Sequence, residues 1–152
     1  MDAREFARTL RAKLQQMNQN RAKDALRIAT DLNALVRLRI NTRGQDYKGK
    51  PFTPYSPGYK KKRQKAGRQT RYVDFNFTGR LQAATQSYIL KETPTSVIVS
   101  TTARGTDNQN KLRGALTQPK GNPRGNILRP SQSELQTAQD ANRQRILKYL
   151  QL

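Results

Sequence analysis

The chain has 152 residues, with 30 Lys and Arg against 10 Asp and Glu, and contains no His, Cys or Trp. Without those residues there is no Cys/His zinc site, no thiol nucleophile, no Ser-His-Asp triad and no imidazole proton shuttle, so catalysis would rest on scattered carboxylates. Apolar residues make up 34% of the chain, enough for one modest core and one domain, while a formal charge of +20 opposes compaction and calls for an acidic neighbour: nucleic acid, an anionic membrane surface or an acidic protein face.

Met1 leads directly into Asp2-Ala3-Arg4-Glu5 with no apolar run behind it. No apolar stretch approaches the roughly 18 residues of a membrane span, so the expectation is a soluble protein made in a cytoplasm, with no signal peptide and no membrane partner. From Asp2 to about Ile40 there is neither Gly nor Pro, and Phe6, Leu10, Leu14, Met17, Ala25, Ile28, Leu32, Leu35 and Ile40 recur at helical spacing. One long helix is predicted. Arg21 stands where that stripe needs an apolar residue, so the helix bends, breaks or changes partner between Met17 and Ala25. At about 1.5 Å per residue it runs on the order of 55 Å, longer than a domain of this size needs, which places part of it against another subunit.

Residues 42–71 read as a basic Pro/Tyr loop, punctuated by Gly44, Gly49, Pro51, Pro54, Pro57, Gly58 and Gly67. Within it Lys60, Lys61, Lys62, Arg63, Lys65, Arg68 and Arg71 put seven positive charges in twelve residues. A run of that density stays extended and solvated in water, so its order is expected to require an anion or an acidic partner. Gly44-x-x-x-x-Gly49-Lys50 has the spacing of a phosphate-binding loop, but Pro51 stands where Ser or Thr belongs, and Pro51, Pro54 and Pro57 block the helix that would face the phosphates.

The region 72–102 is predicted as a small antiparallel sheet with a short helix. Its strands are Tyr72 to Phe77, Ser87 to Leu90 and Ser96 to Ser100, the last two forming a hairpin across Glu92-Thr93-Pro94-Thr95, and the helix falls within Gly79 to Gln86. Residues 103–130 are polar and rich in Gly, Asn and Gln and read as a long loop or arm of the kind ordered by a partner. Residues 131–152 form a C-terminal helix announced by the capping box Ser131-Gln132-Ser133-Glu134. The fold class is α+β in a single domain. No carboxylate motif, cofactor site or metal site is predicted; Asp74, Glu92 and Asp107 come from separate elements, and surface acids are the favoured reading.

Read in order, Gly44-x-Asp46-x-x-Gly49-Lys50-Pro51-Phe52-x-Pro54-Tyr55-Ser56-Pro57-x-Tyr59-Lys60, then Phe75-Asn76-Phe77-Thr78-Gly79-Arg80-Leu81, a hairpin, and Leu128-Arg129-Pro130-Ser131-Gln132-Ser133-Glu134 form a joint pattern. It resembles the tailed-phage minor structural proteins of the virion-morphogenesis and tail-completion group over roughly two thirds of the chain. The resemblance implies a structural subunit of the neck, a tail-completion or tail-terminator protein or head-to-tail connector, located in the virion. Its partners would be itself in a homo-oligomeric ring, the portal or adaptor and tail proteins, and packaged DNA in the channel. The clustering of Pro, Tyr and Lys assigns Phe52, Tyr55 and Tyr59 as loop anchors and Lys60, Lys61, Lys62, Arg63, Lys65, Arg68 and Arg71 as contacts to an acidic protein surface, or to DNA. The competing class is a sequence-independent basic nucleic-acid-binding protein.

Overall fold

A computed structural model gives the fold and describes residues 2–76, 78–116 and 127–150. Helix α1 spans Ala3–Arg43 without interruption. Asp2 caps its first turn by accepting from the Glu5 amide, and Gly44 ends it in the left-handed conformation, its amide returning to the Ile40 carbonyl. At 41 residues the helix is about 60 Å long. Arg21 does not break it. The stripe changes partner there, because Arg21 leaves the apolar seam to bond the Pro94 carbonyl and pair with Glu92 at the hairpin tip.

Three elements pack on α1 from about Met17 onward. The hairpin of β1 (Thr85–Glu92) and β2 (Val97–Ala103) is antiparallel, with a bulge at Leu90 between the pairs Ile89–Val99 and Lys91–Ile98. That extra residue lets Ser87 and, beyond the bulge, Glu92 both face α1, where Asn33 bonds Ser87 and Thr101 and Arg21 meets Glu92. Helix α3 (Arg80–Ala84) leads into the hairpin, docked by the reciprocal amide pair of Asn41 and Gln82 and by Arg37 on the Gln82 carbonyl. Helix α5 (Gln132–Leu150) runs antiparallel along α1, from the Arg39–Glu134 ion pair to the Arg145–Asp31 pair. Its predicted capping box is present in both directions: the Ser131 hydroxyl accepts from the Glu134 amide and Glu134 accepts from the Ser131 amide.

Three expectations are corrected. Residues 42–71 are not all loop, because Ser56 caps helix α2 (Pro57–Lys65) and Pro57 fits its first turn, where no amide donor is needed. Tyr72 to Asn76 forms no strand: Phe75 takes φ 52° and the segment is held by side chains, while Phe77 lies outside the described residues. The arm begins with helix α4 (Thr106–Leu116), whose Asp107 lies in the first turn and pairs with Lys111 one turn on; residues 117–126 of the arm lie outside the described residues.

The core is small. Val36 and Ile40 from α1 meet Phe52, Val73, Ala103 and Ile127, with Tyr55, Phe75, Leu81 and Leu128 packed around them. Gly44 sits where the backbone passes this cluster: a Cβ there would lie 2.7 Å from the Tyr72 Cβ and 2.9 Å from the Val73 carbonyl oxygen. Gly44→Ala therefore combines a positive φ with a backbone clash and is expected to cost about 2 kcal/mol or more in urea unfolding. Gly58→Ala meets nothing within 4 Å and is expected to be neutral or to stabilise by up to about 1 kcal/mol.

Candidate functional site

The basic segment is built on a buried ion pair. Arg63 is 1% exposed, and each nitrogen of its guanidinium is used. Nε donates to the Gln69 carbonyl (2.9 Å), Nη1 to the Asn76 carbonyl (3.1 Å) and Nη2 to Asp74 Oδ2 (3.0 Å). The guanidinium also lies over the Tyr55 ring, 4.6 Å from its centroid. Asp74 is equally engaged. Oδ2 accepts in addition from the Gln69 amide (2.6 Å), and Oδ1 accepts from the Tyr55 hydroxyl (2.8 Å) and the Asn76 amide (2.9 Å). The Tyr55 oxygen in turn accepts from the Asp74 amide (3.1 Å). The last of these bonds to Oδ1 closes an Asx turn that holds the chain through Phe75, whose ring meets Phe52 edge-on at 5.0 Å.

The predicted residues divide accordingly. Phe52 is buried in the core and Tyr55 is anchored through its hydroxyl; Tyr59 is exposed and rests edge-on against Tyr55 at 5.2 Å. Lys60, Lys61, Lys62, Lys65, Arg68 and Arg71 are exposed. Arg63, assigned as a partner contact, is corrected: it points inward, and its charge is neutralised by Asp74 rather than by another molecule. The acid that pairs with this run comes from eleven residues along the chain, at Asp74. The missed signal was Ser56-Pro57 as a cap and first turn, which sets the helical phase and turns residue 63 to the opposite side from Lys61 and Lys65.

A second arginine makes a parallel clamp. Arg39 donates Nε to Glu134 (2.8 Å), Nη1 to the Gln45 carbonyl (2.7 Å) and Nη2 to the Arg129 carbonyl (2.9 Å), joining α1, the turn after it and the start of α5. Arg39 shares with Ile40 the last position of the apolar stripe of α1, and that spacing carries no sign of the clamp. The turn at Gly44 to Pro51 is closed by Asp46, which accepts from the Lys48 and Lys50 amides, so this segment satisfies itself and makes no phosphate cradle.

Asp74, Glu92 and Asp107 do not converge; each pairs with its own base, Arg63, Arg21 and Lys111. Among the described residues no group of three His, Cys, Asp or Glu is placed to hold a metal ion, and no helix is long and apolar enough to cross a membrane. A groove of about 220 Å³ between α1 and α5 is lined by charges of both signs, including Lys23, Asp24 and Arg27. Comparison with family models, with curated proteins and with solved structures finds no match.

Removing Arg63 leaves a buried, uncompensated carboxylate, so Arg63→Met is expected to cost about 3–5 kcal/mol in urea unfolding. Lys61→Met on the outer face is expected to change stability by no more than about 0.5 kcal/mol. Burial, together with the hydrogen bond to Asp74, pushes the Tyr55 hydroxyl up from its ordinary pKa of 10.0 to about 12. A raised folded-state value means that Tyr55 stabilises fully below pH 10 and that this contribution is lost as pH rises toward about 12. The stability gap between wild type and Tyr55→Phe, measured by urea titration across this range, is expected to be widest below pH 10 and to narrow above it.

Proposed function

We propose that the chain is a non-catalytic structural subunit that assembles with copies of itself into a ring, as a neck, tail-completion or head-to-tail connector protein of a tailed phage. The observation that carries this reading is the imbalance of apolar surface. Among the described residues seven apolar side chains are buried, while eleven large ones are exposed. The exposed set comprises Phe6, Leu14 and Leu38 on α1, Tyr59 on α2, Tyr88, Ile89, Leu90 and Ile98 on the hairpin, and Ile146, Leu147 and Tyr149 in the last turns of α5.

A heterologous ring contact supplies cover for surfaces of this kind, because each subunit offers one face to a different face of the next. The first turns of α1 reach beyond the packed half of the molecule, as does the outer face of the hairpin. The resemblance of the Gly44-to-Glu134 motif order to virion-morphogenesis proteins supports the same reading, and a position in the neck or tail region is what that resemblance implies.

Quantitative mass spectrometry of salt-washed, nuclease-treated particles of the source phage is expected to find a small fixed copy number of this chain. Its absence from particles would overturn the reading. In solution, the doubly substituted Leu90→Glu, Ile98→Glu chain is expected to sediment as a monomer under conditions in which the wild type forms a ring.

A further inference from the structure

We infer that the outer face of α2 and the turn after it bind the phosphate backbone of duplex nucleic acid without regard to sequence. This goes beyond the ring reading and stands without it. At 3.6 residues per turn, Lys61 and Lys65 lie on the side of α2 opposite Arg63, one turn apart, with about 5–6 Å between their Cβ atoms. Arg68 is held against the same end of the helix, its amide bonded to the Arg63 carbonyl at 2.9 Å, after Gly67 has turned the chain with φ 64°. Lys60 on α2 and Arg71, three residues beyond Arg68, are exposed as well.

None of these five cations forms an ion pair among the described residues. The two acids of this part of the chain are spent, Asp46 on the Lys48 and Lys50 amides and Asp74 on Arg63. The array is also presented in fixed form, since the residue that anchors its helix is itself buried. A polyanion meets it without first ordering a loop.

Charge alone fits an acidic protein as well as a nucleic acid, but the composition of the face separates them. The centre of a protein interface is apolar and depleted in Lys. Here the only large exposed apolar side chain on α2 is Tyr59, one turn before Arg63 and so on the side away from Lys61 and Lys65, and the others lie on α1, the hairpin and α5. A face of lysines and arginines without an apolar centre suits phosphate contacts, which position without reading bases. Phosphate contacts carry no sequence information, so binding through them is indifferent to sequence.

The test is fluorescence anisotropy of the full chain with a labelled mixed-sequence 20-base-pair duplex, titrated at several salt concentrations. Polyglutamate serves as the acidic-polypeptide probe. Two charge-matched triple variants are compared: Lys61→Gln, Lys65→Gln, Arg68→Gln on the face, and Arg4→Gln, Arg8→Gln, Arg11→Gln at the start of α1. Five phosphate contacts give a slope of log affinity against log salt near −4.5, and the face variant is expected to lose about 2.7 of it while the α1 variant keeps it within about 0.5.

Equal loss in both variants, an unchanged slope in the face variant, or no duplex binding at low salt overturns the inference. Polyglutamate bound as tightly as the duplex overturns it in favour of an acidic protein partner. Sedimentation of the same samples reports the ring separately, so a monomer that binds DNA defeats the ring reading alone.

Discussion

The pairing of Arg63 with Asp74 inside a chain of net charge +20 is the constraint on which the rest of the structure depends. Burying either ion alone costs several kcal/mol, and the pair is tolerated because each guanidinium nitrogen and each carboxylate oxygen has a partner: besides the ion pair, two backbone carbonyls and the Tyr55 ring for Arg63, and two side chains and an amide for Asp74. From this node three things follow. Helix α2 is fixed at its inner face, the chain through Phe75 is bent into the core, and Tyr55 is locked against both. A small apolar cluster then suffices because polar bonds, specific in direction, supply the register that a larger core would otherwise impose.

Arg39 repeats the device at the other side of the core. Its three bonds to Glu134, Gln45 and Arg129 join elements up to 95 residues apart in sequence, and Glu134 is shared with the cap of α5. Both arginines spend a charge internally, and in doing so they consume two of the ten acids. Three more acids pair with Arg21, Lys111 and Arg145, so the excess of cations is pushed to the outside. Exposed cations are densest on α2 and the turn after it, while most uncovered apolar side chains lie on α1, the hairpin and α5, with exposed cations such as Arg4, Arg143 and Lys148 among them.

How much of this was legible in the sequence depends on how local the signal is. The long helix, the hairpin and the capping box at Ser131 to Glu134 are written in neighbouring residues, and the α+β architecture of a long N-terminal helix, a small antiparallel sheet and a C-terminal helix follows from them. Arg63 was hidden, because in a run of seven cations nothing but helical phase distinguishes the one that points inward, and that phase is set by Ser56 and Pro57, which also read as loop punctuation. The strand expected at Tyr72 failed for a similar reason. Alternating Val73 and Phe75 suggest a pleated face, but Asp74 is claimed by Arg63, Gln69 and Tyr55, and the bonds it makes bend the backbone out of an extended path. Function is the least local of all, since exposed cations and apolar side chains are spread over several elements and no short motif among them carries a chemistry.

The central claim is that α2 is ordered by an acid of its own chain. Amide hydrogen exchange of the isolated full-length protein, at low concentration and without any polyanion, tests it most directly. Protection of the α2 amides that is lost in Arg63→Met, with the amides in the middle of α1 remaining protected, is the predicted result. Exchange of α2 at unfolded rates in the wild type, with protection appearing only on addition of duplex DNA, would contradict it.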